Sequence, residues 1–314
     1  MAPKILCVVG PTACGKTAMG IALAKRYNGE VVSVDSMQIY RGMTIGTAAP
    51  TQEEMEGVPH HMVAVAEPTE NWSAARYAAA AIPVVDDILA RGKLPSLVGG
   101  TGLWLDAVVK GHGFAAGHAG GESRKVLQQR LEQEGMEPLW QELERIDPEA
   151  AKRLHPADEK RVLRALEVYL ETGKTITQHN EETKAIPPRY DAVWIGLQFT
   201  DRQDMRRLID LRVDKMVEAG LLREVQQLLA SGIPRDATAL QAIGYKEFLG
   251  VAEGSITAQE AIAEVKLRSR QYAKRQLTWL RKNQNIHWIF WEKQRDFARA
   301  LQLSTEILTA EGLS

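Results

Sequence analysis

The first apolar run of the chain, Ile5 to Val9 in KILCVVG, is short, has no polar face and stops at Gly10. Such a run predicts a short strand buried on both sides. The next segment, GKTAMGIALAKRY, spaces its apolar residues at helical intervals and predicts a helix. EVVSVDS and LPSLVGG repeat the strand signature, separated by a helix predicted from about Ser73 to Arg91. Strands alternating with helices in this way predict an α/β fold, a parallel doubly wound sheet flanked by helices.

From about His112 to Gly121 the chain is rich in glycine and alanine and has neither period, which predicts a hinge. Between Glu122 and Lys184 the patterns are helical and charged, and IPPR at 186–189 closes the region with a proline break. The expected organisation is a core of residues 1–113 and 186–314 interrupted by an all-helical insertion, 114–185. DAVWIGLQF then resumes a strand pattern, followed by amphipathic helices from about Arg202 to Leu229 and from Ala258 to Asn283.

At 314 residues, 45% hydrophobic and 25% charged, the chain has ordinary globular composition with material for one large domain or two smaller ones. No apolar run approaches the roughly 20 residues of a membrane helix, and no signal-peptide pattern precedes the first strand, so a soluble cytoplasmic protein is expected. Cys7 and Cys14 are the only cysteines, which makes neither a disulfide framework nor a zinc site. A net charge of -1 gives no global sign of a polyanionic partner. Local clustering does: Lys266, Arg268, Arg270, Lys274, Arg275, Arg281 and Lys282 fall between Val265 and Asn285 with no acid among them. On a helical wheel they lie opposite Ile262, Val265, Tyr272, Ala273, Trp279 and Leu280, so one arc is expected to pack, Tyr272 and Trp279 included. The other arc is expected to meet a polyanion, RNA and diphosphate fitting equally.

The chemistry concentrates at three predicted strand ends, where an open parallel sheet binds ligands. GPTACGKT, residues 10–17, fits GxxxxGK[ST]. Its backbone amides and the following helix N-terminus suit a diphosphate, with Lys16 on outer oxygens and the Thr17 hydroxyl on Mg²⁺. Asp35 ends the second strand, where a carboxylate serves as general base, metal holder or turn cap. VGGTG at 98–102 allows close backbone approach and offers Thr101. The third predicted strand ends in Gly99-Gly100 rather than the aspartate that usually helps hold Mg²⁺ in an ATP-using enzyme, which weakens an ATP reading unless Asp35 serves. In the insertion, Arg161 and Arg164 share a helix face, within reach of a backbone phosphate. His60 and His61 are adjacent, point apart, and are expected to be structural.

Taken in order, GPTACGKT, DSMQIYRGMTIGTA, GVPHH, GKLPSLVGGTGLWLDA, DEKRVLRALEVYLETGK, RVDKMVEAGLLREV, QAIGYKEF and RQYAKRQLTWLR closely resemble the tRNA dimethylallyltransferase (tRNA isopentenyltransferase) family of bacterial type. The resemblance implies a P-loop NTPase-like core and transfer of a dimethylallyl group from its diphosphate to the exocyclic amine of the adenosine 3′ of the anticodon. By motif, Gly10, Pro11, Thr12, Ala13, Cys14, Gly15, Lys16 and Thr17 would form the diphosphate site. Asp35 would be the general base, and Arg212 with Thr17 would stabilise the bridging oxygen of the departing diphosphate. Asp35, Ser36, Met37 and Gln38 would surround the target base. Further tRNA contacts are implied at Thr101, Ser123, Glu159, Lys160, Arg161, Val162 and Leu163, and at Leu240, Gln241, Ala242, Ile243, Gly244 and Tyr245. Lys274 and Arg275 of the basic arc join them. The expected cofactor is Mg²⁺ on Thr17, the partners tRNA and dimethylallyl diphosphate, with no membrane and a monomeric state. The chain departs from most members at Cys14 (serine), Ala49 (lysine) and Ala64 (aspartate), none of them a residue assigned to chemistry. The runner-up is a P-loop kinase of a small molecule or nucleotide; an RNA-binding protein whose loop is a nucleotide switch would leave Asp35 and Arg212 idle.

Overall fold

The computed structural model describes residues 2–111 and 121–313. The predicted hinge at 112–120 therefore lies outside the described residues. Two compact units result: Met1–Gly111 with Arg189–Ser314, and His112–Pro188.

In the first unit β1 (Lys4–Val9) leads into α1 (Lys16–Arg26), then β2 (Gly29–Val34), a two-residue β3 (His60–His61), α2 (Ala74–Ala90), β4 (Leu94–Gly99) and α3 (Gly102–Lys110). The second unit holds α4 (Glu122–Glu134), α5 (Met136–Ile146), α6 (Pro148–Arg153), α7 (Glu159–Thr172) and α8 (Ile176–Ala185). The first unit resumes with β5 (Asp191–Phe199), α9 (Arg202–Glu218), α10 (Leu221–Ala230), a short 3-10 turn (Thr238–Gln241), α11 (Tyr245–Ala252), α12 (Ala258–Leu280), β6 (Ile286–Trp291) and α13 (Phe297–Ala310).

The six strands form one sheet in the order β3-β2-β4-β1-β5-β6, every pairing parallel. β1 is central, and alternate residues feed opposite cores: Ile5, Cys7 and Val9 pack with α2 and α3, Leu6 and Val8 with α1 and α13. Each such buried aliphatic side chain contributes about 1.5–3 kcal/mol, which is why the short run reads as apolar throughout. This is a P-loop NTPase-like sheet with helices on both faces.

Three elements depart from the pattern reading. β3 has no apolar run; it exists because Val31 and Val32 of β2 pair with His60 and His61. β6 is an edge strand, with Phe290 51% exposed, and its irregular apolar alternation hides it in the sequence. The helix predicted over 202–229 is two helices, because Gly220 adopts φ 99° between α9 and α10.

The second unit has a core of its own, built on Leu127, Leu139, Leu143, Val162, Leu163 and Leu166. Buried Asp147 accepts hydrogen bonds from Ala150 N at 3.0 Å, Thr177 N at 3.0 Å and Thr177 Oγ1 at 2.7 Å, capping α6 and tying α8 to it.

Candidate active site

Residues 10–17 leave the carboxyl end of β1 in a turn with small residues at its three positive-φ positions. Gly15 has φ 90° and caps α1, and Ala13 sits at φ 64°. A Cβ on Gly10 would meet Leu197 O at 2.3 Å. The loop is held from behind by Trp291 of β6, whose Nε1 donates to Cys14 O at 2.8 Å. Cys14 itself is fully buried, and burial pushes its thiol up, so it is a packing residue of the loop. Lys16 Nζ donates to Pro11 O at 2.8 Å. Burial pulls the Lys16 pKa down, and the neighbouring Arg212 adds to that.

Asp35 follows β2. Its Oδ1 accepts from Met37 N at 2.9 Å and Gln38 N at 3.3 Å, so the turn-cap role foreseen for it is real. Only one oxygen is used in this way in these bonds, and the carboxylate also lines a cavity of about 290 Å³ together with Ser36, Met37, Tyr272 and Arg212. Gln38 faces inward instead: its Oε1 accepts from Ser33 Oγ at 3.0 Å and its Nε2 donates to Ala48 O at 3.2 Å. Ser36 N donates to Thr101 Oγ1 at 3.2 Å, joining the ends of β2 and β4.

A larger cleft of about 710 Å³ lies over the phosphate loop, lined by Gly15, Lys16, Thr17, Arg295 and, again, Arg212. Arg212 and Met216, one helical turn apart on α9, line both cavities. Arg212 Nη2 donates to Thr47 O at 3.1 Å, and burial pulls its pKa down against the opposing pull of Asp35. One guanidinium thus separates a cationic cleft from a carboxylate-bearing pocket.

Three residues that sequence reasoning assigned no role in the site support it. Glu224 of α10, buried, accepts from Thr44 N at 2.9 Å, Ile45 N at 2.8 Å and Gly46 N at 3.1 Å, fixing a loop that lines both cavities. Gln276 of α12 accepts from Thr12 N at 2.8 Å and donates to Gly100 O at 3.2 Å. Tyr272 lies beside Gln276 and Thr101, and burial pushes its phenol up to about 12. The side chain that could have been noticed is Gln276, the one buried polar residue among the charges of α12.

The basic arc of α12 is smaller than its sequence implies. Lys266 pairs with Asp214 at 2.6 Å, Arg270 with Asp210 at 2.8 Å and Arg268 with Glu264 at 2.6 Å. Among the described residues Lys274, Arg275, Arg281 and Lys282 have no carboxylate partner. Trp279, expected to pack, is exposed over Gly102, with Lys282 Nζ 5.4 Å from its ring centroid. The indole lies against Gly102 of α3, so it packs in part, and only because that position has no side chain.

The remaining candidate positions divide by exposure. Gln241 is exposed and Ile243 half-buried, both lining the Asp35 cavity. Ala242 is buried and lines the same cavity, whereas Leu240, Gly244 and Tyr245 are buried behind it, the Tyr245 hydroxyl donating to Glu224. In the second unit Glu159, Lys160 and Arg161 are exposed at the start of α7, Arg161 paired with Asp158 at 2.9 Å, whereas Val162 and Leu163 belong to the core. Ser123 is half-buried in α4. His60 Nδ1 contacts Val58 O and His61 Nε2 contacts Glu30, both at 2.8 Å, which are structural roles.

Known proteins similar to this chain are of one kind. The family model described as IPP transferase matches residues 38–283, and one described as isopentenyl transferase matches residues 3–67. The tRNA dimethylallyltransferase of Halalkalibacterium halodurans is 47% identical over 290 residues, covering 92% of this chain and 91% of that protein. That of Thermoanaerobacter sp. (strain X514) is 41% identical over 298 residues, 95% of each. Among solved structures, the tRNA isopentenylpyrophosphate transferase of Bacillus halodurans superposes with a TM-score of 0.73 at 41% identity, covering 98% of this chain and 96% of that one. A eukaryotic dimethylallyltransferase acting on tRNA gives a TM-score of 0.84 at 28% identity, covering 98% and 80%. With more than 40% identity across nearly its whole length to such enzymes, and a family model matching residues 38–283, the chain belongs to the tRNA dimethylallyltransferase family.

Proposed function

We propose that this enzyme transfers the dimethylallyl group of dimethylallyl diphosphate to the exocyclic amine of the adenosine 3′ of the anticodon in tRNA, releasing diphosphate. The observation that carries the reading is Arg212 in the common wall of two cavities, one with Lys16 and Thr17, the other with Asp35. A leaving group and a nucleophile on opposite sides of one cation is the arrangement that carbon transfer needs.

The amine nitrogen attacks the first carbon of the dimethylallyl group as the carbon–oxygen bond to diphosphate breaks. The proton released from nitrogen passes to Asp35, and the bond electrons leave with the diphosphate. An exocyclic adenine amine is a weak nucleophile, so proton removal as the bond forms lowers the barrier. The allylic carbon tolerates positive charge, which makes stabilisation of the leaving diphosphate by loop amides, Lys16 and Arg212 the larger contribution. Thr17, in the first turn of α1 and on the cleft wall, suits a hard cation that takes its other ligands from diphosphate oxygens and water. When bound there, Mg²⁺ would neutralise diphosphate charge.

The adenine must leave the anticodon-loop stack, at a cost of a few kcal/mol. The 290 Å³ Asp35 cavity, walled by Met37, Val213 and Ile243, suits one unstacked base, and exposed Lys274 and Arg275 supply phosphate contacts. Thr101, Ser123 and exposed Glu159, Lys160 and Arg161 are proposed as further tRNA contacts. No helix among the described residues is long and apolar enough to cross a membrane; the reaction is proposed to take place in the cytoplasm, with the chain acting as a monomer.

The test is incubation with unmodified tRNA, Mg²⁺ and dimethylallyl diphosphate in the absence of ATP, followed by nucleoside analysis. Prenylated adenosine is the expected product. Its absence from several tRNAs carrying adenosine at that position overturns the proposal, and phosphate transfer in a parallel reaction supplied with ATP and no prenyl donor would establish the kinase instead.

A further inference from the structure

We infer that Arg295, in the loop between β6 and α13, is a second arginine for the diphosphate, binding the phosphate group distal to Arg212. The inference rests on the diphosphate reading of the cleft. Arg295 lines that cleft with Lys16, Thr17 and Arg212. Arg295 is exposed, but its stem is held against the phosphate loop. Its own loop is anchored at one end by Trp291, which donates to Cys14 O, and at the other by Phe297, whose ring is 5.4 Å from that of Trp291. A Cβ on Gly15 would lie 2.9 Å from Phe297 Cζ and 3.3 Å from Arg295 Cδ. The arginine stem therefore rests on the phosphate-loop turn, with the guanidinium 5.8 Å from the Phe297 ring centroid.

Among the described residues no carboxylate pairs with Arg295. Asp296 is occupied in capping α13 through Arg299 N at 3.0 Å, and Glu292 accepts from Thr200 Oγ1 at 3.4 Å. On the cleft walls, Ala48, Ala49 and Pro50 supply no charge, Glu54 accepts from Thr51 N at 3.0 Å and Glu56 pairs with Lys25. A guanidinium held over a phosphate loop without a counter-ion is matched by a polyanion, and its planar donors suit two phosphate oxygens at once. Arg212, on the wall shared with the Asp35 pocket, then faces the bridging oxygen, and Arg295 the outer phosphate.

Titration calorimetry of inorganic diphosphate with Mg²⁺ tests this without requiring turnover. Arg295→Met keeps the stem on Gly15 and removes the charge; it should raise the diphosphate Kd about tenfold. Arg295→Lys should recover part of the loss, and the melting temperature and tRNA affinity of both variants should match the parent. In the transfer assay Arg295→Met should raise KM for dimethylallyl diphosphate more than it lowers kcat. A diphosphate Kd within twofold of the parent overturns the inference. A parent that binds diphosphate through Arg295 yet prenylates no tRNA would overturn the proposed reaction and leave Arg295 in place; a parent that binds no diphosphate overturns both.

Discussion

Gln276 Oε1 accepts the hydrogen bond of the Thr12 amide at 2.8 Å, so one buried side chain of α12 is tied directly to the phosphate loop. Its Nε2 donates to Gly100 O, where a Cβ would come within 2.2 Å of that nitrogen. The helix carrying Lys274 and Arg275 and the loop carrying Lys16 are therefore one mechanical piece. Gln276→Ala removes an acceptor and a donor at a largely buried position, at a cost of about 2 kcal/mol. A fall in melting temperature with a roughly tenfold lower kcat/KM for the prenyl donor is expected, and unchanged kinetics would show that the link is only structural.

Asp35 has two duties that substitutions can separate. Its Oδ1 caps the Met37 and Gln38 amides. Asp35→Asn keeps that acceptor and the shape of the turn while abolishing basicity, so turnover should drop at least a hundredfold. Affinity for tRNA, measured by filter binding, should stay within a few fold. A large loss of binding instead would make Asp35 a recognition residue.

The charges of α12 should divide in the same experiment. Replacing Lys274 and Arg275 with Ala removes two unpaired cations and should weaken tRNA binding and reduce the slope of log K against log salt by about 0.7–0.9 for each phosphate no longer neutralised. Replacing Lys266 and Arg270, paired with Asp214 and Asp210, should leave that slope nearly unchanged. Equal effects from the two pairs would mean that the ion pairs open on RNA binding.

Glu30 is a structural counterpart, buried in β2 with Arg91, Lys93 and His61 around it. Its carboxyl is held well below the usual carboxylate range, chiefly by the Arg91 hydrogen bonds. A depressed folded-state pKa contributes stability that is full above the unfolded value of about 4 and is lost as the pH falls through the folded one. Glu30→Gln should therefore destabilise the protein by about 2 kcal/mol near pH 7, with the difference from the parent shrinking at acid pH. Denaturant titrations at several pH values check it; a difference that grows on acidification contradicts the assignment.

Features encoded in neighbouring residues were legible from the chain alone. The phosphate loop is one, because its glycines, lysine and threonine act through backbone turns and a helix start that immediate sequence dictates. Strands buried on both faces are another, as in Ile5–Val9, and so is Asp35 at the end of β2. Arg212 was reached only through family resemblance, since nothing in RVDKM marks one arginine of an amphipathic helix as cleft-facing.

What the tertiary structure decided are the relations between distant residues. Gln276 and Thr12 are 264 residues apart, and Glu224 reaches Thr44 across 180; the packing of α12 against α9 and α3 accompanies the first contact, and no local period encodes it. The same holds for charge. Seven cations between 265 and 285 read as one basic face, yet Asp210 and Asp214 of α9 neutralise two of them and Glu264 a third. A short stretch of sequence fixes which side of a helix is polar, because that depends on its own periodicity. Whether a given charge remains available to a ligand depends on which element packs beside it, and only the assembled fold settles that.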